Sequence, residues 1–369
     1  MLSLRRIAES SSLLERVAEE VVRWKVFMPR MVDLESSRVC NLKCPGCPRN
    51  SESSLCHTGE RFVTLDKVGY ILNELPTLMT FNFMGDGEPL CNPEFNDIVH
   101  LIGSKGINTI VTTNGTLLNK KIVEGWIRDR VYRVHISVDG ATKETYEAMR
   151  VGGEFGKVKE NMKILGDSKL TVCLNMMLYR RTIKEMPKMV ELCRNCRIEE
   201  ITFLMPICAV DSDIDGEYKR PEVSEENEHI FKMAREACRA LGVKWIFPTG
   251  LQPMFRRLSF PFTRPQISLD GDVYSCCYMI GRGKTWFEGH LIDIPSKDYI
   301  MGNMFKKGFK EIWYSDSFNE LRDTIKRTER RRGEMITREE LKRMRENPKE
   351  NGRFKYCEAC LPRWGMACS

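Results

Sequence analysis

The sequence predicts an α/β fold, an open, partial (β/α)6 TIM-like barrel followed by a small C-terminal α+β domain. Two observations carry the prediction. From Met31 to about residue 205, short β-branched or apolar runs alternate with helical stretches, which argues for parallel βα units. Six such units are too few to close an eight-stranded barrel. Composition then shifts at residues 248–265 towards Pro, Phe and Arg, and the segment beyond carries its own cysteines. With 369 residues the chain is long enough for two domains. The expected division is an N-terminal amphipathic helix over 1–30, the barrel over 31–255 and the C-terminal domain over 256–369.

Residues 2–28 read as a helix because Leu4, Ile7, Leu14, Val17, Val21 and Trp24 recur near helical period. Six basic and four acidic residues in 1–30 make a weaker cationic face than membrane surfaces favour. Packing on the body of the protein is the expectation, with membrane-surface contact through this helix as the alternative. Strands are expected at 32–39, 79–84, 107–113, 132–138, 170–177 and 200–205. Helices are expected between them, at 64–75, 94–105, 118–127, 142–150 with 155–166, and 183–195. A further helix near 225–241 and a strand around 243–247 complete this part. In parallel barrels the loops after strand C-termini carry the chemistry, so those loops are where candidate residues belong.

The composition is 42% hydrophobic and 30% charged, as in a folded globular chain. No apolar run approaches the roughly 18 residues that span a bilayer, and no signal-peptide core opens the sequence. Fifteen cysteines without a secretory signal point to a reducing, cytoplasmic setting and to metal ligation more than cross-linking. The net charge is +7, and residues 320–349 hold eleven Lys/Arg against seven Asp/Glu. Such a run reads first as a solvated helix face, with nucleic acid or anionic lipid as the alternative.

Chemistry concentrates first at Cys40-Asn41-Leu42-Lys43-Cys44-Pro45-Gly46-Cys47, directly after the first strand. Three thiols spaced Cys-x3-Cys-x2-Cys can converge on one soft-metal centre. A cubane iron–sulfur cluster takes four ligands, so three thiolates would leave one iron open. A zinc site would need a fourth ligand, for which Cys56 or His57 stands nearest. Gly85-Asp86-Gly87-Glu88 follows the second strand, and its glycines allow close approach of backbone to a ligand. Thr113-Asn114-Gly115 ends the third strand, Ser137-Val138-Asp139-Gly140 the fourth with Arg150 beyond, and Asn175 lies on the fifth.

Together these segments resemble the radical S-adenosylmethionine (SAM) superfamily. The resemblance implies that Cys40, Cys44 and Cys47 hold a [4Fe-4S] cluster whose open iron chelates SAM and cleaves it to a 5′-deoxyadenosyl radical. It implies SAM-binding roles for Gly85, Asp86, Gly87, Glu88, Thr113, Asn114, Ser137, Asp139, Arg150 and Asn175. The glycine motif would hold the amino group, Ser137 and Arg150 would help fix ribose and carboxylate, and Asn175 would reach the ribose. An arginine suits a carboxylate because its planar fork makes two parallel hydrogen bonds. One departure stands out: the residue before the third cysteine is usually aromatic and lies by the adenine, whereas here it is Gly46. Other apolar groups must then cover the adenine.

The C-terminal stretch 267–277 reads as a β-hairpin with an Asp270-Gly271 turn that delivers Cys276 and Cys277. A helix over 317–330 and a final Cys357-Glu358-Ala359-Cys360 with Cys368 follow. This order resembles the SPASM or shorter twitch extension, which carries auxiliary iron–sulfur clusters. Five cysteines are enough for one such cluster, probed first as [4Fe-4S], with Cys276, Cys357 and Cys360 matching the pattern. Cys368 is the first choice for the fourth ligand and Cys277 the second, with a substrate-binding open iron or zinc as further options. Cys193 and Cys196 read as structural. Cys208 reads first as a small apolar filler, and the acidic loop 209–224 as solvated surface.

The expected function is therefore hydrogen abstraction from an unactivated C–H bond of a small molecule, lipid or peptide. Oxidation, epimerisation or C–C or C–S bond formation would follow, with a reduced flavodoxin- or ferredoxin-type electron donor. Only 39 residues precede Cys40, fewer than the peptide-binding module of some relatives requires, which lowers the peptide option. The alternative class is a nucleic-acid-modifying or nucleic-acid-binding cluster protein using residues 320–349, for which stacking aromatics are sparse.

Overall fold

Strand and helix follow one another from Met31 as the periodicity predicts. The structure, a computed structural model, describes residues 28–50, 59–206, 221, 224–246, 264–274, 284–287, 290–293 and 299–330. Its parallel strands are β1 (Met31–Leu34), β2 (Thr80–Phe83), β3 (Asn108–Thr113), β4 (Val131–Ser137), β5 (Thr171–Met177), β6 (Glu200–Leu204) and the short β7 (Lys244–Trp245). The helices between them are α1 (Leu65–Glu74), α2 (Phe95–Ser104), α3 (Lys120–Arg128), α4 (Lys143–Met149), α5 (Phe155–Gly166), α6 (Met186–Asn195) and α7 (Glu225–Leu241).

The helices begin where side-chain oxygens can take up otherwise orphaned backbone N–H groups. Thr64, Asn119, Thr142 and Ser224 cap α1, α3, α4 and α7 in this way. Outer faces of the strands pack against the helices, as where Phe83 meets Phe95 of α2 at 5.0 Å between ring centroids, and Phe95 meets Trp126 of α3. All five residues of β6 are buried, as expected for a parallel strand covered on both faces.

The expected first strand, 32–39, stops at Leu34. Its neighbour β2 ends in register at Phe83, and beyond that point the chain leaves the sheet to form an isolated bridge from Ser37 to Phe62. The expected Asp-Gly hairpin is β8 (Gln266–Ile267) with β9 (Asp272–Tyr274), turning through Gly271 at a left-handed φ of 85°. β8 pairs in parallel with β1, and β12 (Ile300–Asn303) adds antiparallel to β9. One ten-stranded sheet results, in the order β12-β9-β8-β1-β2-β3-β4-β5-β6-β7. β10 (Lys284–Phe287) and β11 (His290–Asp293) form a separate hairpin, and α8 (Phe309–Trp313) and α9 (Asp316–Arg330) follow. The N-terminal helix over 2–28 lies almost wholly outside the described residues, as do the loop 209–224 for the most part and the basic residues 331–349.

Two buried carboxylates fasten this C-terminal extension to the first strand. Asp33 accepts hydrogen bonds from Asn82 of β2 (2.7 Å), from Arg264 (2.5 Å) and from Gln266 of β8. Glu35 accepts from the Leu269 N–H (3.3 Å) and pairs with Arg38 (3.2 Å), which in turn pairs with Asp270. Burial pushes the Asp33 carboxyl up to about 6 and the Glu35 carboxyl up to about 7, against the pull of Arg264 and Arg38.

Asp33→Ala strips Asn82, Arg264 and Gln266 of this acceptor and should cost about 3–5 kcal/mol, read as a lower urea midpoint. Both carboxyls sit above their unfolded values, so between about pH 4 and pH 7 the native state holds more protons than the unfolded chain. Stability should therefore fall as pH rises through that window. Urea unfolding at about pH 5 and about pH 7.5 should show the slope, and Asp33→Asn/Glu35→Gln should flatten it.

Candidate cluster and cofactor site

Five residues separate the end of β1 from Cys40, and Ser37 holds the loop between. Ser37 Oγ donates to the Val39 carbonyl (2.8 Å) and accepts from the Val39 N–H (2.9 Å). The Cys47 N–H donates to the Cys44 carbonyl (3.0 Å), closing a turn that explains the two-residue spacing of those thiols. Asn50 N–H then caps Cys47 and Asn50 Nδ2 reaches the Cys44 carbonyl, while Lys43 N–H docks the loop on Val151. Cys40, Cys44 and Cys47 all line one cavity of about 260 Å³. Each sulfur of the first pair has a donor beside it: Leu42 N–H (3.5 Å) and Asn114 Nδ2 (3.8 Å) at Cys40, and Arg150 (3.9 Å) at Cys44. Burial pushes the Cys47 thiol up to about 12 and the Cys44 thiol upward, so metal ligation must displace their protons.

The loop after β2 lies against this cysteine loop so closely that a side chain at Gly87 is excluded. A Cβ there would stand 2.2 Å from the Ser37 carbonyl oxygen and 2.8 Å from that of Val39. The next residue donates its N–H to Val39 O (2.8 Å). Glu88 is 2% exposed, and its carboxylate accepts from Thr113 Oγ1 (2.6 Å), Asn114 N–H (2.7 Å) and Leu90 N–H (3.3 Å). Burial raises its pKa and these donors oppose the rise. Asn114 reaches Asn41 of the cysteine loop (2.9 Å), and Asn41 reaches Thr116 (2.8 Å).

After β4, Asp139 pairs with Arg150 (2.7 Å) and accepts from the Met177 N–H (2.8 Å). Burial opposes the Arg150 charge, but Asp139 and Cys44 outweigh it and keep the guanidinium protonated. Its buried Nε has no hydrogen-bond partner among the described residues. Three soft thiols, a glycine loop open to backbone contact and a buried guanidinium donor on one wall fit a cysteine-held cluster and a ligand that carries a carboxylate.

The structure brings Gly85, Asp86, Gly87, Glu88, Thr113, Asn114, Ser137, Asp139 and Arg150 onto the cavity wall with the three cysteines. Asn175 does not line that cavity, and its Oδ1 faces His135 Nδ1 at 3.4 Å. Side chains two apart on a strand share a face, and Met177, two residues on, occupies the rim instead. Gly46, at the position the resemblance sets by the adenine, lines the cavity too, and Leu42, Arg49, Thr112, Met149, Met177 and Tyr179 line it and were missed. Tyr179 follows the end of β5, so the rule that strand-end loops carry chemistry could have found it.

Cys193 and Cys196 are buried at the end of α6, with Cys193 Sγ towards the Glu200 carbonyl. Among the described residues, no three His, Cys, Asp or Glu side chains gather tightly enough for a single metal ion. No helix among them is long and apolar enough to cross a membrane. Cys56, His57, Cys208, Cys276, Cys277, Cys357, Cys360 and Cys368 lie outside the described residues.

The sequence profile of the radical SAM superfamily matches residues 34–193, and that of the SPASM iron–sulfur cluster-binding domain matches residues 259–361. The chain is 26% identical over 318 residues to the AdoMet-dependent heme synthase of Methanosarcina barkeri, covering 80% of this chain and 85% of that protein. It is 24% identical over 306 residues to the mycofactocin maturase MftC of Mycobacterium tuberculosis, covering 80% and 73% respectively. The fold is similar to that of Streptococcus suis SuiB bound to S-adenosylmethionine, with a TM-score of 0.60 at 16% identity, covering 88% of this chain and 75% of that one.

Asp139→Ala would leave the buried Arg150 charge without its carboxylate and should cost about 3–5 kcal/mol, read by thermal or urea unfolding. Arg150→Met together with Asp139→Leu, which removes both charges, should recover most of that loss.

Proposed function

We propose that this chain, which belongs to the radical SAM superfamily and carries a SPASM domain, removes a hydrogen atom from an unactivated C–H bond of an organic substrate. The observation that carries the reading is the convergence of the cysteine triad, the Glu88-braced glycine loop and the Asp139–Arg150 pair on one cavity. The family and its SPASM domain imply [4Fe-4S] clusters and SAM binding.

Cys40, Cys44 and Cys47 would hold the SAM-binding cluster. Arg150, oriented by Asp139, would receive the carboxylate of SAM, and the backbone of Gly85 to Gly87 with Asp86 its ammonium group. Glu88 braces this wall through Thr113 and Asn114. Cys276, Cys357 and Cys360, with Cys368 as fourth ligand, would hold an auxiliary cluster. When bound, the reduced SAM-binding cluster supplies the electron that cleaves SAM and so yields the hydrogen-abstracting 5′-deoxyadenosyl radical.

The protein's own share is to position ligand and substrate and to exclude water from the wall formed by Leu42, Met149, Met177 and Tyr179. Small molecules, lipids and peptides are the substrate classes, with a ferredoxin- or flavodoxin-type protein as electron donor. The names of the heme synthase and the maturase span two unlike products, so relatedness supports the radical chemistry more strongly than any one substrate.

Anaerobic reconstitution should give about eight irons per chain, about four for each cubane. Addition of SAM and dithionite should release 5′-deoxyadenosine. Cys40→Ala/Cys44→Ala/Cys47→Ala should abolish that release and remove about half the iron, and Cys357→Ala should remove the other half. Release that persists in the triple variant would overturn the assignment.

A further inference from the structure

The geometry points to Tyr179 as the residue that covers the adenine of SAM, with Gly46 as its steric complement, so that the two positions act as one exchangeable pair. The inference rests on the SAM-binding reading above and specifies how the nucleoside end is held.

Three observations lead there. A ligand whose carboxylate reaches Arg150 and whose polar head meets the cysteine triad must leave its purine against some other part of the same wall. Purines are held best by flat apolar surface, because stacking on an aromatic ring needs no particular hydrogen-bond pattern. Among the described residues, Tyr179 is the only aromatic side chain that lines the cavity, next to the apolar groups Leu42, Met149 and Met177.

Second, Tyr179 is fixed before any ligand arrives. It is 6% exposed, its Oη donates to the Gly46 carbonyl at 3.2 Å, and its backbone N–H donates to Thr182 Oγ1 at 3.0 Å. Thr182 Oγ1 in turn donates to the Met177 carbonyl at 3.0 Å, which pins the turn beyond β5. A ring held in this way loses little conformational entropy when a base stacks on it.

Third, the ring occupies the space that a side chain at position 46 would need. A Cβ on Gly46 would stand 2.5 Å from Tyr179 Oη and 2.8 Å from its Cζ. An aromatic residue at 46 and the observed Tyr179 exclude each other. The absence of a side chain between Pro45 and Cys47 is thus the condition that lets a ring from the β5 loop reach this wall. The departure at Gly46 and the presence of Tyr179 are one feature seen from two loops.

The test compares binding of SAM with binding of L-methionine, which shares the chelating end and lacks the adenine. Both ligands are titrated by equilibrium dialysis into anaerobically reconstituted protein with oxidised clusters, so nothing is turned over, and variants are compared at matched iron content. Tyr179→Ala should weaken SAM binding by about tenfold to a hundredfold and leave methionine binding within about twofold. Gly46→Tyr should weaken SAM in the same selective way, because its ring collides with the Tyr179 phenol. Gly46→Tyr/Tyr179→Gly moves the ring to the other loop and should restore SAM binding to within about threefold of wild type.

The proposal is overturned if Tyr179→Ala binds SAM as wild type does, or loses SAM and methionine in equal proportion. Should Tyr179→Ala fail to retain iron, the double variant decides, and its failure to regain SAM binding overturns the proposal equally. Wild-type protein with full iron that binds neither SAM nor methionine would instead overturn the SAM-binding reading itself.

Discussion

The carboxylate of Glu88 is the interaction on which the site depends. It is buried at the junction of three loops, where it accepts from Thr113 Oγ1 and the Asn114 N–H while its own backbone N–H holds Val39. A buried carboxylate is costly unless its lone pairs are used, and here donors from the third strand end use them. The result is directional. Thr113 and Asn114 are drawn onto the second strand's loop, Asn114 is then placed to reach Asn41, and Asn41 stands next to Cys40. The cysteine loop thus inherits its position from a hydrogen-bond chain that begins at Glu88, beyond the neighbouring strand β2, and passes through the end of β3.

A second set of buried charges joins the C-terminal extension to the barrel. Asp33 and Glu35 flank the end of β1, and their donors come from β2 on one side and from Arg264, Gln266 and Leu269 on the other. β1 would otherwise present an open edge of unpaired backbone groups, and β8 covers it. The extension is therefore continuous with the strand that leads into the cysteine loop. The far side of the barrel interior is closed differently. Lys244 and Arg133 outweigh the burial of Glu200 and hold it ionised, while burial pushes His135 down to about 4. Neutral His135 accepts from Arg133 at Nε2 and faces Asn175 with Nδ1. Asn175 is thus engaged with His135 in the interior, and Met177, two residues on, lines the cavity.

Much of this was legible in the sequence because it is local. Strand–helix alternation is written in hydrophobic period, and each strand end carries its polar cluster within a few residues of the last apolar position. The spacing of Cys40, Cys44 and Cys47 likewise describes a single loop. What was not legible depends on contacts between residues far apart. The first strand read too long because its length is set by where β2 ends, a contact with a residue some fifty positions away. β8 and β9 read correctly as a hairpin, but no periodicity says which edge a hairpin will join.

The sequence by itself determined the soft-ligand triad, the order of polar strand ends around it and the alternation that places them on one rim, since each is a property of neighbouring residues. Only the tertiary structure decided what those residues face. Glu88 turned from one carboxylate among several into the brace of the wall, and Gly46 from a missing aromatic into space taken by Tyr179, 133 positions later. The physical reason is the same in both cases. A buried carboxylate is defined by its donors and a glycine by what fills the volume it leaves, and those partners come from other strands.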